Sequence, residues 1–174
     1  MSRAFDFCVK RVLDEEGGLS DHRLDPGGRT SLGITQATLD AAHDKLPGLP
    51  AKVDQLTRAH ALTIYDFLYW RPICGDELPL GMALLTFDAA VNQGVHDASC
   101  FLQLAVGELP DGRIGPVTLA AAQRAKPAVL TELAAQRMRD YLRCGAAQQK
   151  AFGLGWSRRL MRVFAAALAA PLEA

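Results

Sequence analysis

The sequence predicts a mainly α, compact domain with a small irregular loop or hairpin lobe that carries the active site. Three observations predict it. Apolar residues recur at helical spacing along most of the chain, glycine and proline punctuate them at short intervals, and no alternating strand pattern is long enough for a sheet. A chain of 174 residues, 49% of them hydrophobic, has material for one proper core.

The first helix is expected over Ala4 to Glu16, with Phe5, Val9, Val12 and Leu13 on its inner side and Gly17 and Gly18 ending it. Gly18 to Ile34 is too rich in Gly, Asp, Pro and Ser for a helix and reads as a turn-rich loop or hairpin. Thr35 caps a short helix to about His43, which LPGLP (46–50) breaks, and Thr57 caps a longer one through Trp70. Pro79 opens a strongly apolar central helix closed by Gly94. Helices over His96 to Val106, Val117 to Arg124, Pro127 to Arg143 and Trp156 to Ala170 complete the set, with Gly153 and Gly155 separating the last two. The turn at 107–116 is expected to leave Thr118 facing out.

Nineteen basic and nineteen acidic residues cancel, so nothing draws the chain to nucleic acid or an anionic membrane as a whole. The N-terminus lacks the apolar run and cleavage site of a secretory signal, and the apolar tail from Val163 to Leu172 is too short to span a bilayer. The expectation is a protein made soluble in the cytoplasm and not inserted in a membrane. Cys8, Cys74, Cys100 and Cys144 have no disulfide or zinc spacing and read as buried thiols, without an adjacent histidine base. His22, His43, His60 and His96 are scattered, so neither a metal nor any other cofactor is expected.

Chemistry concentrates at residues 14–35, DEEGGLSDHRLDPGGRTSLGIT. Asp14 and Glu15 fall toward the wetter side of the first helix and read as solvated charges. Glu16 follows the apolar stripe at the last turn, where burial and the negative end of the helix dipole both favour a protonated carboxyl that can act as a general acid. Asp25 stands in a polar turn shaped by Pro26, Gly27 and Gly28, with Thr30 on the same rim. Two carboxylates in contrasting surroundings suit acetal hydrolysis, one protonating the leaving oxygen and the other, with Thr30, orienting or activating water. Spacing alone leaves a second reading open, in which DPGG is a stiff turn and Asp25 bonds its own backbone, and a weaker third, a metal loop, for which Asp14, Glu16, Asp21 and Asp25 lack the alternate-residue spacing.

Asn92, a polar residue on the most buried helix, either ties that helix to a loop or offers its amide to a sugar acetamide, and Gln93 shares the second duty. Tyr65 and Tyr69 either stack on or bond to sugars or belong to the core, and Trp70 and Trp156 read as packing residues for the same reason. His22 either touches substrate or fills the loop. Arg113, Arg158 and Arg159 meet carboxylates or phosphates of a partner, or are ordinary surface charges.

EGG (16–18), DPGGRTSLGIT (25–35), YDFLYWRP (65–72), DAAVNQG (88–94), DGRIGPVT (111–118) and GWSRR (155–159), in that order, resemble the bacterial and phage muramidases of glycoside hydrolase family 108, once described as secretion activator proteins. The resemblance covers nearly the whole chain and implies a lysozyme-like helical fold. It implies one domain over 1–174, with a catalytic portion at 4–94 and a portion at 95–174 resembling the family's C-terminal peptidoglycan-binding segment, fused into the same core. It also implies hydrolysis of the β-1,4 bond between N-acetylmuramic acid and N-acetylglucosamine, with Glu16 as the acid. Glu16, Asp25 and Thr30 further resemble the Glu, Asp and Thr set of phage-type lysozymes, which implies an inverting displacement with the carboxyl groups roughly 6.5 to 9.5 Å apart. The partner is then the peptidoglycan glycan strand, reached by a monomer in the periplasm or at the cell wall after release through a separate membrane pore or export protein. The alternatives are a non-catalytic peptidoglycan-binding or secretion-assisting protein, and a lytic transglycosylase.

Overall fold

The computed structural model describes residues 1–16 and 30–170, and of Glu16 only its helical backbone. The expectations for His22, Asp25 and the Glu16 side chain lie outside the described residues. Within them the chain forms helix α1 (Arg3–Glu16), a two-stranded antiparallel hairpin of β1 (Thr30–Ser31) and β2 (Ile34–Thr35), and then α2 (Gln36–His43), α3 (Arg58–Tyr65), α4 (Leu80–Gln93), α5 (Val95–Val106), α6 (Pro116–Arg124), α7 (Val129–Arg143) and α8 (Ala146–Leu168). The mainly α, lysozyme-like architecture with a small hairpin lobe is the one observed. Among the described residues no helix is long and apolar enough to cross a membrane.

In α1, Phe5, Cys8, Val9 and Val12 follow one another at i, i+3, i+4 and i+7 and are all buried. Ser2 starts this helix by accepting a hydrogen bond from the Phe5 N–H at 3.1 Å. The expected caps are present: the Thr35 hydroxyl accepts from the Thr38 N–H, and Thr57 exchanges hydrogen bonds with His60. The helix begun at Thr57 does not stay α to Trp70; it passes at Asp66 into a π turn ending at Trp70. The Trp70 indole is buried there, edge-on to Phe5 at 5.6 Å and to Phe87 at 5.3 Å between ring centres. Gly75 lies directly beneath it, where a Cβ would sit 2.4 Å from the ring, so only glycine lets the chain pass.

Helix α4 is the hub, buried continuously from Met82 to Ala90. A Cβ on Gly81 would lie 2.6 Å from the Ala167 carbonyl oxygen, which measures how closely α8 crosses it. The centre of α4 carries a charge. Asp88 has no exposed surface, and its carboxylate accepts from Arg137 of α7 at 2.7 Å and from the Nε and terminal nitrogen of Arg159 of α8 at 2.9 and 2.8 Å. Arg137, equally buried, also donates to the Leu85 carbonyl, to Gln93 Oε1 and to the Tyr141 hydroxyl. Three helices are thereby joined by one hydrogen-bonded cluster whose charges have partners inside the protein.

The turn at 107–116 is held from beneath by Gln103, a buried side chain of α5. Its amide donates to Asp111 Oδ1 at 2.7 Å, to the Arg113 carbonyl at 3.0 Å and to the Thr118 hydroxyl at 3.3 Å, and its oxygen accepts from the Gly112 N–H. Thr118 therefore faces inward, 4% exposed, and not out to solvent as its place in the turn suggested. The hydrogen bond from Gln103, and then the one from the Arg113 N–H at 2.9 Å, hold the Asp111 carboxyl below its ordinary value of 3.8.

Two further expectations are corrected. Gly153 and Gly155 do not divide the last segment: α8 runs unbroken from Ala146 to Leu168. Two glycines weaken an exposed helix by about 1 kcal/mol each. Packing overrides that cost, with Trp156 stacked on Tyr141 at 5.1 Å, Arg159 held by Asp88, and Gln149 donating to the Leu142 and Cys144 carbonyls across the α7–α8 turn. The four cysteines are free, but only Cys8 is fully buried, its thiol pushed up to about 12 by that burial.

Three outcomes are expected. Asp88→Ala strands the Arg137 guanidinium in the core, so the unfolding free energy in urea falls by about 3–5 kcal/mol. Arg159→Met falls by less, because Arg137 still pairs Asp88. For Asp111, the unfolded chain takes up the proton first as pH drops. Its stabilisation is thus complete above the ordinary carboxylate range and is lost as pH falls toward the lowered folded value. In acid titrations followed by thermal melts, Asp111→Ala should show a shallower loss of stability below about pH 4 than the parent.

Candidate active site

Of the N-terminal candidates, Glu16 closes α1 and Thr30 opens the hairpin. The last turn of α1 is fixed by its neighbour helix: Arg162 of α8 grips Glu15 with two nitrogens, Nε donating to Oε1 at 2.7 Å and the terminal nitrogen to Oε2. Glu15 is consequently not a solvated charge; its side chain is only 14% exposed, against 63% for Asp14, which pairs with Lys10 on the helix surface. The Arg162 guanidinium is held above its usual value, first by this hydrogen bonding. The residue before Glu16 is thus clamped to the C-terminal helix.

The hairpin pairs Thr30 with Thr35 and Ser31 with Ile34. Its two-residue turn, Leu32 and Gly33, has positive φ at both positions (53° and 74°), the backbone that makes a hairpin tight. Leu32 is the strained member, and its carbonyl accepts from the Tyr65 hydroxyl at 3.1 Å. Ile34, 1% exposed, anchors the second strand in the core. Thr30 stands half-buried where the hairpin begins.

Tyr65 is 1% exposed and packs edge-on to Phe87 at 6.2 Å, so its main visible work is bracing the hairpin against the core. Tyr69, half-buried, lies beside it at 5.8 Å between ring centres. Tyr65, Tyr69 and the hairpin therefore form one neighbourhood.

Asn92 and Gln93 lie at the far end of α4. Asn92 is exposed, not buried, because the last turn of that helix emerges from the core, and its amide donates to the Asp88 carbonyl at 2.7 Å. Gln93 is half-buried, donating to Asp140 at 2.7 Å and accepting from Arg137 at 3.0 Å. Both line a pocket of about 180 Å³ with Asp140, Tyr141, Cys144 and Trp156. Sequence reasoning missed Asp88, Arg137 and Arg162. Asp88 had a visible signal, a lone acid inside an apolar helix, whereas Arg137 and Arg162 look like ordinary helix-surface charges.

Arg159 is committed to Asp88, while Arg113 and Arg158 are exposed. His96 Nε2 lies 3.8 Å from Cys100 Sγ, one helical turn away, so a histidine does adjoin a cysteine. Burial, with Asp97 and Asp111 nearby, raises that thiol and works against a nucleophilic thiolate. Among the described residues no three His, Cys, Asp or Glu side chains gather as a metal site.

The family model described as Glycosyl hydrolase 108 matches residues 9–94, a range containing all eight candidates: Glu16, His22, Asp25, Thr30, Tyr65, Tyr69, Asn92 and Gln93. The solved structure of SagA from Brucella abortus matches with 38% identity over 95% of this chain and 94% of that chain, at a TM-score of 0.84. This chain belongs to glycosyl hydrolase family 108. It is thereby a glycoside hydrolase, and the structural match extends past the family range to include α5 to α8. No curated protein matches the chain.

Arg162→Ala should release the last turn of α1. Amide hydrogen exchange at residues 13–16 is expected to rise severalfold, while exchange in α4 stays at the parent rate.

Proposed function

We propose that this family 108 chain cleaves the β-1,4 bond between N-acetylmuramic acid and N-acetylglucosamine in peptidoglycan. Glu16 protonates the leaving oxygen, and Asp25 with Thr30 holds and activates the water that attacks the opposite face, so the anomeric carbon inverts. The observation that supports this most strongly is membership of the glycoside hydrolase family, whose matched range spans Glu16, Asp25 and Thr30. Local architecture agrees: α1 ends beneath a two-nitrogen arginine clamp, and the hairpin opened by Thr30 is braced by Tyr65, so each element is rigid where a catalytic group is required. Tyr69 offers a half-buried ring beside the hairpin, and His22, Asn92 and Gln93 contact the glycan.

In this reading residues 4–94 carry the chemistry, and 95–174 widen the glycan groove from within the same core. The protein acts as a monomer at the wall, reached from the cytoplasm through a separate pore or export protein.

Glu16→Gln should lower muropeptide release from purified sacculi by about 100- to 10,000-fold with the melting temperature preserved. Asp25→Asn should do likewise, and Thr30→Ala should do so more mildly. Release by Glu16→Gln at the parent rate would remove the acid assignment. Proton NMR of a short glycan should show the α anomer first. A β anomer would exclude inversion, and 1,6-anhydro ends would identify a lytic transglycosylase.

A further inference from the structure

The pocket at the end of α4 has the chemistry of a sugar-ring site. Its floor is aromatic: Trp156 is half-buried and stacked on Tyr141 with ring centres 5.1 Å apart and planes 20° apart. Phe152, 43% exposed, extends that surface one turn earlier on α8. Its polar rim is preset. Gln93 is fixed between Arg137 and Asp140, and Asn92 spends its amide nitrogen on the Asp88 carbonyl and keeps its oxygen at the exposed helix end. An apolar ring face beside a few oriented amide and carboxylate groups is how a protein holds a pyranose, whose C–H face stacks while its hydroxyl and acetamide groups find partners.

Charge narrows the ligand. Asp140 is the one charged side chain among the described lining residues, and the Arg137 guanidinium behind it donates to Asp88, the Leu85 carbonyl, Tyr141 and Gln93 Oε1. An anionic sugar would meet that carboxylate with no cation among the described lining residues to offset it, so the pocket suits a neutral saccharide.

We infer that Trp156, Asn92 and Asp140 form a saccharide subsite that takes an uncharged N-acetylglucosamine unit in preference to an N-acetylmuramic acid unit with its lactyl carboxylate. This deepens the muramidase reading and rests on it for the identity of the polymer, but the binding itself does not depend on Glu16. Trp156 is a binding residue here and takes no part in bond cleavage.

The test uses the full chain and its own fluorescence. Of the two tryptophans, Trp70 is 1% exposed in the core, so a ligand-induced spectral change reports on Trp156. Titration of Glu16→Gln with N-acetylglucosamine tetramer should quench and shift the emission saturably. Trp156→Phe should remove the spectral change, and by calorimetry it and Asn92→Ala should each weaken binding roughly tenfold, the scale of one stacking or hydrogen-bonding contact. Asn92 is exposed, so its variant remains informative if Trp156→Phe folds poorly. Asp140→Lys should shift preference toward a muramic-acid-containing fragment. No saturable spectral change, or unchanged affinity in both Trp156→Phe and Asn92→Ala, would overturn the subsite. Undiminished hydrolysis by Glu16→Gln would overturn the acid assignment and leave the subsite standing, so the two failures are distinguishable.

Discussion

The ion cluster of Asp88 with Arg137 and Arg159 is the constraint on which the helical body is arranged. An unpaired carboxylate in the middle of the most buried helix would cost several kcal/mol, so α4 can occupy the centre only if α7 and α8 deliver their arginines to it. Apolar packing alone tolerates small slides of one helix over another. A carboxylate with three hydrogen bonds at 2.7 to 2.9 Å does not, and this selects one relative placement of the three helices.

That placement has effects at a distance. One turn beyond Arg159 on α8 lies Arg162, so fixing the first arginine delivers the second to Glu15 and sets the end of α1. One turn before Arg159 lies Trp156, which the same registration brings onto Tyr141 and over the pocket. A single helix thus serves the core, the close of the first helix and an aromatic recess through side chains three residues apart, all on one helical stripe.

Much of this was legible in the sequence, and the exceptions have physical causes. Helix starts were readable where a threonine caps or a proline opens the first turn, because both effects are local: Thr35, Thr57 and Pro79 all stand there. The stripe of α1 was readable because its periodicity is undiluted. Long-range pairing was not. Glu15 looks solvated until a residue 147 positions away reaches it, and Thr118 looks exposed until Gln103 is folded beneath the turn. Gly153 and Gly155 look like a break because propensity is local, whereas the contacts that hold α8 together come from α4 and α7. Among the candidate residues, the neighbourhood of Thr30, Tyr65 and Tyr69 arises from a hairpin and a helix end well separated in sequence, and the emergence of Asn92 from the core reflects where α4 outruns its neighbours.

Gly94, with φ at 92°, closes α4 and opens α5 in a single residue. The corner therefore contains no slack: the heading of everything after it is set by one pair of backbone dihedrals, and an added or deleted residue would rotate α5 about the central helix by about 100° per residue. The connection around Gly48, being exposed and irregular, can absorb changes in length. Evolution of this architecture is accordingly free to vary at that edge and is confined at the elbow, where size is exchanged for direction.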